Sequence, residues 1–166
     1  MQTRKLLFML ATAFFASPSV YAEKDVINTK LMSMELARDI AQRSVEACRA
    51  DGYQVAVVVV DRGGAPQVVM RDIYAARFTI EIAEKKANAV VLSGVSSAEF
   101  RKNRNDISQE MNHVTGIMVL DGGLPIRTAG TLIGAVGVSG APGGDKDEAC
   151  AKKALDSVFE RLEFAD

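Results

Sequence analysis

The imidazole of His113 is the only one in the sequence and is the first candidate for metal chemistry. A zinc site would need cysteine or carboxylate partners beside it, whereas one histidine is enough to bind the iron of a haem group. A histidine that starts a strand, with its hydrogen bonds satisfied, explains the same residue without a ligand. Met111 and Met118 are further candidate iron ligands, although methionine at this spacing is also typical of a core.

A small basic cluster precedes this histidine. Arg101, Lys102 and Arg104 lie beside Phe100, so a flat apolar side chain and several cations fall within one short segment. Guanidinium groups recognise carboxylates, and this combination would suit the propionates of a haem or another carboxylated ligand. A solvent-exposed helix face accounts for the same charges equally well.

Two carboxylates, Glu81 and Glu84, are spaced three residues apart within a helical pattern. That spacing places them on one helix face, where they could bind a cation weakly. Lys85 follows Glu81 by four residues, so an exposed ion pair is the alternative explanation.

A glycine-rich segment at 122–144 predicts a central hairpin. Residues 125–128 and 131–138 are predicted to form two strands. The pair Ala129-Gly130 between them suits a type II turn or a bulged loop. Gly134 and Gly137 lie inside the second strand, where glycine indicates a bulge or the close approach of a helix, a subunit or a ring. A dinucleotide site is disfavoured, because those glycines would lie within a strand instead of in a strand-to-helix turn.

Hydrophobic periodicity, cap residues and turn residues divide the rest of the chain into helices and strands. In chain order, the predicted elements are a helix from Ser33 to 51, strands at 55–60 and 67–71, a helix at 75–92, a short helix after Ser96, a strand at 113–120, and a helix from Asp145. The side chains predicted to face the core include Phe78, Ala149 and Phe159, whereas Lys86 is predicted to face solvent.

The order of these elements predicts the fold class. Consecutive strands are joined by turns too short for the crossovers that a parallel sheet requires. The sequence therefore predicts a single α+β domain, with one five-stranded antiparallel sheet and helices packed against it.

The first 22 residues have the pattern of a signal peptide. Basic residues precede an apolar run at 6–16, which is too short to span a membrane, and small residues follow at Val20 and Ala22. This pattern predicts a periplasmic or secreted protein whose residues 23–166 form the single domain. A formal net charge of −1 and 6% aromatic residues give no electrostatic case for nucleic acid as a partner.

The two cysteines, Cys48 and Cys150, fall on the first and last predicted helices. An oxidising compartment would allow them to pair if those helices lie side by side. Two buried thiols that pack as small apolar groups remain the alternative.

Five motifs in order give the chain a resemblance to a known family. They are VVVDRGG at 58–64, IAxxKA at 82–87, GGLPI at 122–126, GAVGVSG at 134–140 and DEACA at 147–151. These motifs resemble the GlcG/HbpS-like family of small haem-binding proteins and the C-terminal domain of PduO-type corrinoid enzymes. Asn88 stands where the family commonly has threonine, and Ala129 where it has an acidic residue.

The resemblance implies a profilin-like fold with a five-stranded antiparallel sheet, homo-oligomers from dimers to octamers, and haem binding in several members. Some members also degrade haem or bind iron. Members do not share one axial ligand, so the resemblance identifies no ligand residue in this chain.

The sequence thus favours an exported, oligomeric protein that binds haem or another tetrapyrrole for storage, sensing or degradation. The candidate haem-binding residues are His113, Arg101, Arg104 and Phe100, and Glu81 and Glu84 are a candidate iron site. An enzyme or accessory subunit for a small hydroxy acid or other carboxylated metabolite is one alternative. A structural oligomer without a ligand is another.

Overall fold

An antiparallel sheet forms the middle of the molecule. The computed structural model describes residue 25 and residues 27–164, so the predicted signal peptide lies outside the described residues. The strands are β1 Ala56–Asp61, β2 Pro66–Arg71, β3 Gly123–Thr128 and β4 Thr131–Ser139. The helices are α1 Met34–Ala50, α2 Phe78–Ser93, α3 Ser97–Asn103, α4 Ser108–Met111, α5 Gly144–Ser157 and α6 Phe159–Glu163. The strand order is β2-β1-β4-β3, with every neighbouring pair antiparallel, which confirms the predicted α+β domain.

The fifth strand, predicted at 113–120, does not form. The N–H of Val119 donates to Oδ1 of Asn112 at 2.7 Å, and the N–H of Met118 donates to the carbonyl oxygen of Lys85 on α2 at 3.2 Å. These backbone groups are satisfied by a side chain and by a helix instead of by a neighbouring strand. The prediction of five strands was therefore wrong, and β3 is an edge of a four-stranded sheet in the described part of the chain.

The predicted hairpin of β3 and β4 is present, but its turn is of another type. The φ angles of Ala129 and Gly130 are 45° and 78°. Positive φ at both central residues is typical of a type I′ turn, which fits the twist of the strands better than the predicted type II turn. Alanine is strained there because its Cβ crowds the backbone. A register shift between Ile126 and Arg127 adds a bulge within the strands.

The two faces of the sheet are covered by different helices. On one face, α1 and α5 share a core with Val57 and Val59 of β1. On the other face, α2 packs against Val58 and Val60. Because side chains alternate along a strand, a run of valines is buried on both faces, which confirms β1 as an interior strand.

Gly137 allows α2 to approach the sheet closely. A Cβ added at Gly137 would lie 1.9 Å from the carbonyl oxygen of Ala83 on α2. At Gly134 the same atom would lie 2.4 Å from the carbonyl oxygen of Val60 on the neighbouring strand. The predicted close approach is confirmed at both positions, and at Gly137 the approaching element is a helix.

Serine caps begin two helices as predicted. Oγ of Ser33 accepts the N–H of Leu36 at 3.2 Å, and Oγ of Ser96 accepts the N–H of Glu99 at 3.1 Å. Each cap satisfies one of the unpaired N–H groups of a first helical turn.

α5 begins at Gly144, one residue before the predicted Asp145, with Gly143 as its N-cap and without a side-chain cap. Oδ1 of Asp147 instead accepts the N–H of Ala141 at 2.9 Å. Some residues that were predicted to face the core are exposed, namely Phe78, Ala149 and Phe159. They lie outside the buried stripes of α2, α5 and α6.

A disulfide joins Cys48 of α1 to Cys150 of α5, with a Cα–Cα distance of 5.3 Å. Both residues are fully buried in the core on that face of the sheet. The bond closes a loop of 102 residues and so restricts the unfolded chain. No helix in the described residues combines the length and apolarity needed to cross a membrane.

Candidate functional site

An apolar groove opens between the C-terminal end of α2, α3 and α4. Its volume is 480 Å³, within the range of about 300–1,000 Å³ that is usual for small-molecule sites. It is lined by Leu92, Ser93, Val95, Phe100, Asn103, Arg104, Ile107 and Met111. Most of these side chains are apolar, and the guanidinium of Arg104 is the single cationic group among them.

The local sequence explains why α3 forms this wall. Gly94 ends α2 in the left-handed conformation, with a φ of 73°, and Nη2 of Arg127 donates to its carbonyl oxygen at 2.5 Å. Ser96 then starts α3, and Phe100 on that helix packs against Ala89 of α2. The aromatic ring therefore anchors α3 and lines the groove at the same time.

The residues that were predicted to bind haem do not all lie at one place in the structure. Phe100 and Arg104 share the apolar groove. Arg101 instead forms an ion pair, with its Nη2 2.7 Å from Oδ2 of Asp121. His113 is exposed and lines a different groove.

That second groove, called here the carboxylate groove, brings His113 together with Glu81 and Glu84. Its volume is 510 Å³, and its remaining lining residues are Lys85, Asn112, Val114, Thr115 and Gly116. Nζ of Lys85 lies 2.5 Å from Oε1 of Glu81, and its hydrogen bond lowers the pKa of Glu81. Among the described residues, no three His, Cys, Asp or Glu side chains are grouped so that they could hold a metal ion. The predicted ion pair between Glu81 and Lys85 is thus confirmed.

A central pocket of 260 Å³ adjoins both grooves along α2. Leu92 lines both this pocket and the apolar groove, and Thr115 and Gly116 line both this pocket and the carboxylate groove. Nδ2 of Asn88 donates to the carbonyl oxygen of Gly116 at 3.2 Å. The turn at 111–116 contributes Met111 to the apolar groove and His113 to the carboxylate groove. The hydrogen bond from Asn88 holds this turn against α2.

Lys86 was predicted to face solvent, and this prediction is wrong. Its side chain is only 1% exposed, and its Nζ lies 2.7 Å from Oδ2 of Asp147, which is itself 4% exposed. Nζ also donates to the carbonyl oxygen of Val138 at 2.9 Å. Ala83, Lys86, Ala87 and Val90 follow the spacing i, i+3, i+4, i+7, and this apolar stripe is the signal that could have identified a buried lysine.

A second acidic side chain of α5 lies near this ion pair. Burial raises the pKa of Glu148, the charge of Asp121 raises it further, and the N–H of Gly122 and the charge of Lys86 oppose the rise. Burial also raises the pKa of Asp147, against the opposing effect of Lys86. Oε2 of Glu148 and Oδ1 of Asp121 are buried and have no hydrogen-bond partner among the described residues.

The two grooves suit different ligands. Apolar walls, a guanidinium at the rim and the thioether of Met111 suit a flat apolar ligand that carries a carboxylate. The carboxylate groove is more polar, and its two carboxylates, Glu81 and Glu84, could bind a cation only weakly.

Comparison with known proteins gives consistent matches over most of the described chain. The family model for the haem-degrading HbpS-like proteins matches residues 32–156. Protein GlcG of Escherichia coli strain K12 is 27% identical over 109 residues, which are 66% of this chain and 81% of GlcG.

Solved structures with the same fold include a Streptomyces reticuli HbpS variant in which two glutamates three positions apart are replaced by aspartate. It is 30% identical, with a TM-score of 0.76 over 86% of this chain and 97% of that chain. A complex of PduOC with haem is 23% identical, with a TM-score of 0.68 over 77% of this chain and 95% of that chain. At 23% identity, the likeness to PduOC shows a shared fold.

Proposed function

The chain belongs to the HbpS-like family, and we propose that it binds haem in the apolar groove. One observation carries this proposal: Phe100, Met111 and Arg104 line the same 480 Å³ cavity, so an aromatic wall, a sulfur and a cation occur together. Two comparisons support it, namely the family's description as haem-degrading and the haem complex of PduOC, which shares the fold.

The residues of the groove fit a haem in three respects. Leu92 and Phe100 provide apolar surface for the ring, and Leu92 is 55% exposed and thus accessible. Among the described residues, the ion-pair partner of Arg104 is Asp106, at 3.2 Å and with both side chains largely exposed, so a propionate could replace this partner at small cost. Met111 supplies a thioether, which is a known axial ligand type. Bound haem would supply an iron centre for redox chemistry.

Met111 and His113, two of the three candidate iron ligands, lie two residues apart, at the end of α4 and in the turn after it. Met111 lines the apolar groove, whereas His113 lines the carboxylate groove. Arg101 is proposed to act indirectly, because its ion pair with Asp121 holds the helix that carries Phe100.

A separate iron site at Glu81 and Glu84 is a further part of the proposal. Both carboxylates line one groove, and carboxylate is a suitable iron ligand. The altered glutamates of the Streptomyces reticuli variant have the same three-residue spacing. Lys85 would have to release Glu81 for a cation to bind.

Oligomer formation is proposed through exposed apolar side chains on and after the edge strand β2. Val69 on β2 is exposed, as are Ile73 at 79% and Tyr74 at 84% between β2 and α2, and Phe78 at 57% at the start of α2. Apolar patches of this kind usually contact another protein surface. Oligomers of the domain would bury them.

Export to the periplasm or the extracellular space is proposed from the signal-peptide pattern at 1–22. The buried disulfide between Cys48 and Cys150 supports this proposal, because such bonds persist in oxidising compartments.

A small hydroxy acid or other carboxylated metabolite is the second candidate ligand. The central pocket favours it, because its 260 Å³ are small for a tetrapyrrole and it is lined by the amide of Asn88 and the backbone of Gly63 and Gly64. A thermal shift with such acids, and none with haem, would favour this alternative.

Titration of the purified protein with haemin tests the main proposal. We expect a shifted Soret band that saturates at a fixed ratio of haem to chain. Met111→Ala and His113→Ala identify the ligand, because only the true ligand should change the spectrum of the bound iron. Absence of any saturable Soret shift would contradict haem binding.

A further inference from the structure

A further cavity lies on the face of the sheet opposite α2. It is called here the N-terminal pocket, because residues 29–31, which precede α1, form one of its walls. The remaining lining residues are Leu36, Thr128, Ile133, Arg161 and Leu162, and the volume is 320 Å³, at the lower end of the range usual for small-molecule sites. None of these residues lines the apolar groove, the carboxylate groove or the central pocket.

The floor of the N-terminal pocket is apolar and belongs to the core of the domain. Ile133 of β4 and Leu162 of α6 are 3% and 6% exposed, and they lie in the same core as α1 and α5. Oγ1 of Thr128 donates to the carbonyl oxygen of Leu162 at 2.6 Å, which holds α6 against β3. The floor is therefore fixed in position without a ligand.

The outer wall, formed by residues 29–31, is tied to the domain on both sides. Nη1 of Arg62 donates to Oγ1 of Thr29, and Nε2 of Gln67 donates to the carbonyl oxygen of Met32 at 3.2 Å. Leu31 lies between these two attachments, and it is 71% exposed. An apolar ligand that covers this side chain would remove its surface from water, which favours binding.

The charges at the pocket favour an anion. Lys30 and Arg161 line it from two different segments, and no acidic side chain is among its lining residues in the described part of the chain. Nη1 of Arg161 donates to Oδ2 of Asp39 at 2.8 Å, but Arg38 also donates to Asp39, at 3.2 Å. One carboxylate thus serves two guanidinium groups, and a guanidinium has five N–H donors, so Arg161 can bind a second carboxylate.

We propose that the N-terminal pocket binds a medium-chain fatty acid or a similar apolar monocarboxylate. The carboxylate of the ligand pairs with Lys30 and Arg161, which are the side-chain types that recognise carboxylates. Its alkyl chain packs against Leu31, Leu36 and Leu162. The proposal does not depend on haem binding, because the N-terminal pocket and the apolar groove share no residue.

Calorimetric titration of the purified protein with sodium octanoate tests the proposal. We expect saturable binding of octanoate. Acetate, which lacks the alkyl chain, and octylammonium, which lacks the carboxylate, should each bind at least about tenfold more weakly.

Two pairs of variants test the walls of the pocket. Leu31→Asp should weaken octanoate binding by about tenfold or more, because a carboxylate replaces apolar surface and repels the ligand. Ile27→Asp is its matched control, since Ile27 is 82% exposed in the same segment but does not line the pocket. Arg161→Met should weaken binding by about tenfold, through loss of a charged hydrogen bond. Lys152→Met, at a lysine of α5 that is 68% exposed, should bind as the wild type does.

Methyl NMR spectra of the wild type locate the ligand without any variant. Octanoate should shift the methyl signals of Leu36, Ile133 and Leu162. Shifts at Leu92 and Ile107 instead would place octanoate in the apolar groove and would overturn the proposal. Absence of saturable binding, equal affinity for octylammonium, or equal effects of the two aspartate substitutions would overturn it as well.

Discussion

Nζ of Lys86 lies 2.7 Å from Oδ2 of Asp147, and this ion pair joins α2 to the first turn of α5 beside the C-terminal end of β4. Both side chains are almost completely buried. Val138 and Ala141 supply further hydrogen bonds to the pair, through a carbonyl oxygen and an N–H respectively. The two charges are thus compensated locally, and removing one of them leaves the other buried without its partner.

Substitution of one partner should therefore destabilise the protein strongly. We expect Lys86→Met or Asp147→Leu to lower the free energy of unfolding by about 3–5 kcal/mol. The double variant should lose less than the sum of the two single losses, because no unpaired charge remains. Urea unfolding of the four proteins measures this coupling, with Lys85→Met as a control at a more exposed lysine. Additive losses would show that the two charges do not depend on each other.

Gly137→Ala should be more damaging than an ordinary glycine substitution. Its Cβ would lie 1.9 Å from the carbonyl oxygen of Ala83, so α2 would have to move away from the sheet. We expect a loss of several kcal/mol, of the order seen for overpacked cores or larger. Gly130→Ala is the matched control, because an added Cβ there meets nothing within 4 Å. That control should lose only about 1–2 kcal/mol, for its positive φ. Equal losses measured by thermal unfolding would contradict the steric explanation.

Ala129→Asn should stabilise the hairpin. The residue has a φ of 45°, and asparagine before glycine is the preferred pair for a type I′ turn. A gain of about 1 kcal/mol is expected from relief of the left-handed strain. Ala129→Val should destabilise the protein instead, because a branched side chain tolerates this conformation least. The two variants should move the thermal midpoint in opposite directions, and a shift in the same direction would argue against the strain.

Local signals in the sequence predicted much of the fold. The serine caps, the valine run of β1 and the glycines of β4 each depend on neighbouring residues, and each prediction is confirmed. The strand predicted at 113–120 failed because Asn112 and α2 satisfy its backbone, and that contact depends on the tertiary structure.

The site was harder to predict for the same reason. Phe100 and Arg104 are one helical turn apart, so their shared groove could be anticipated. Lys86 and Asp147 are 61 residues apart in sequence, and each alone resembles an exposed charge. Their pairing depends on how α5 packs near α2, which periodicity does not specify. The lysine within the apolar stripe of α2 was the one local indication.

The haem affinity of Leu92→Asp, compared with that of Phe159→Asp, tests the central claim most directly. The two side chains are similarly exposed, at 55% and 57%, but only Leu92 lines the apolar groove. If haem binds there, Leu92→Asp should weaken binding by about tenfold or more, because a buried charge replaces apolar contact. Phe159→Asp should bind haem as the wild type does. Equal affinities of the two variants for haemin would contradict haem binding in the apolar groove.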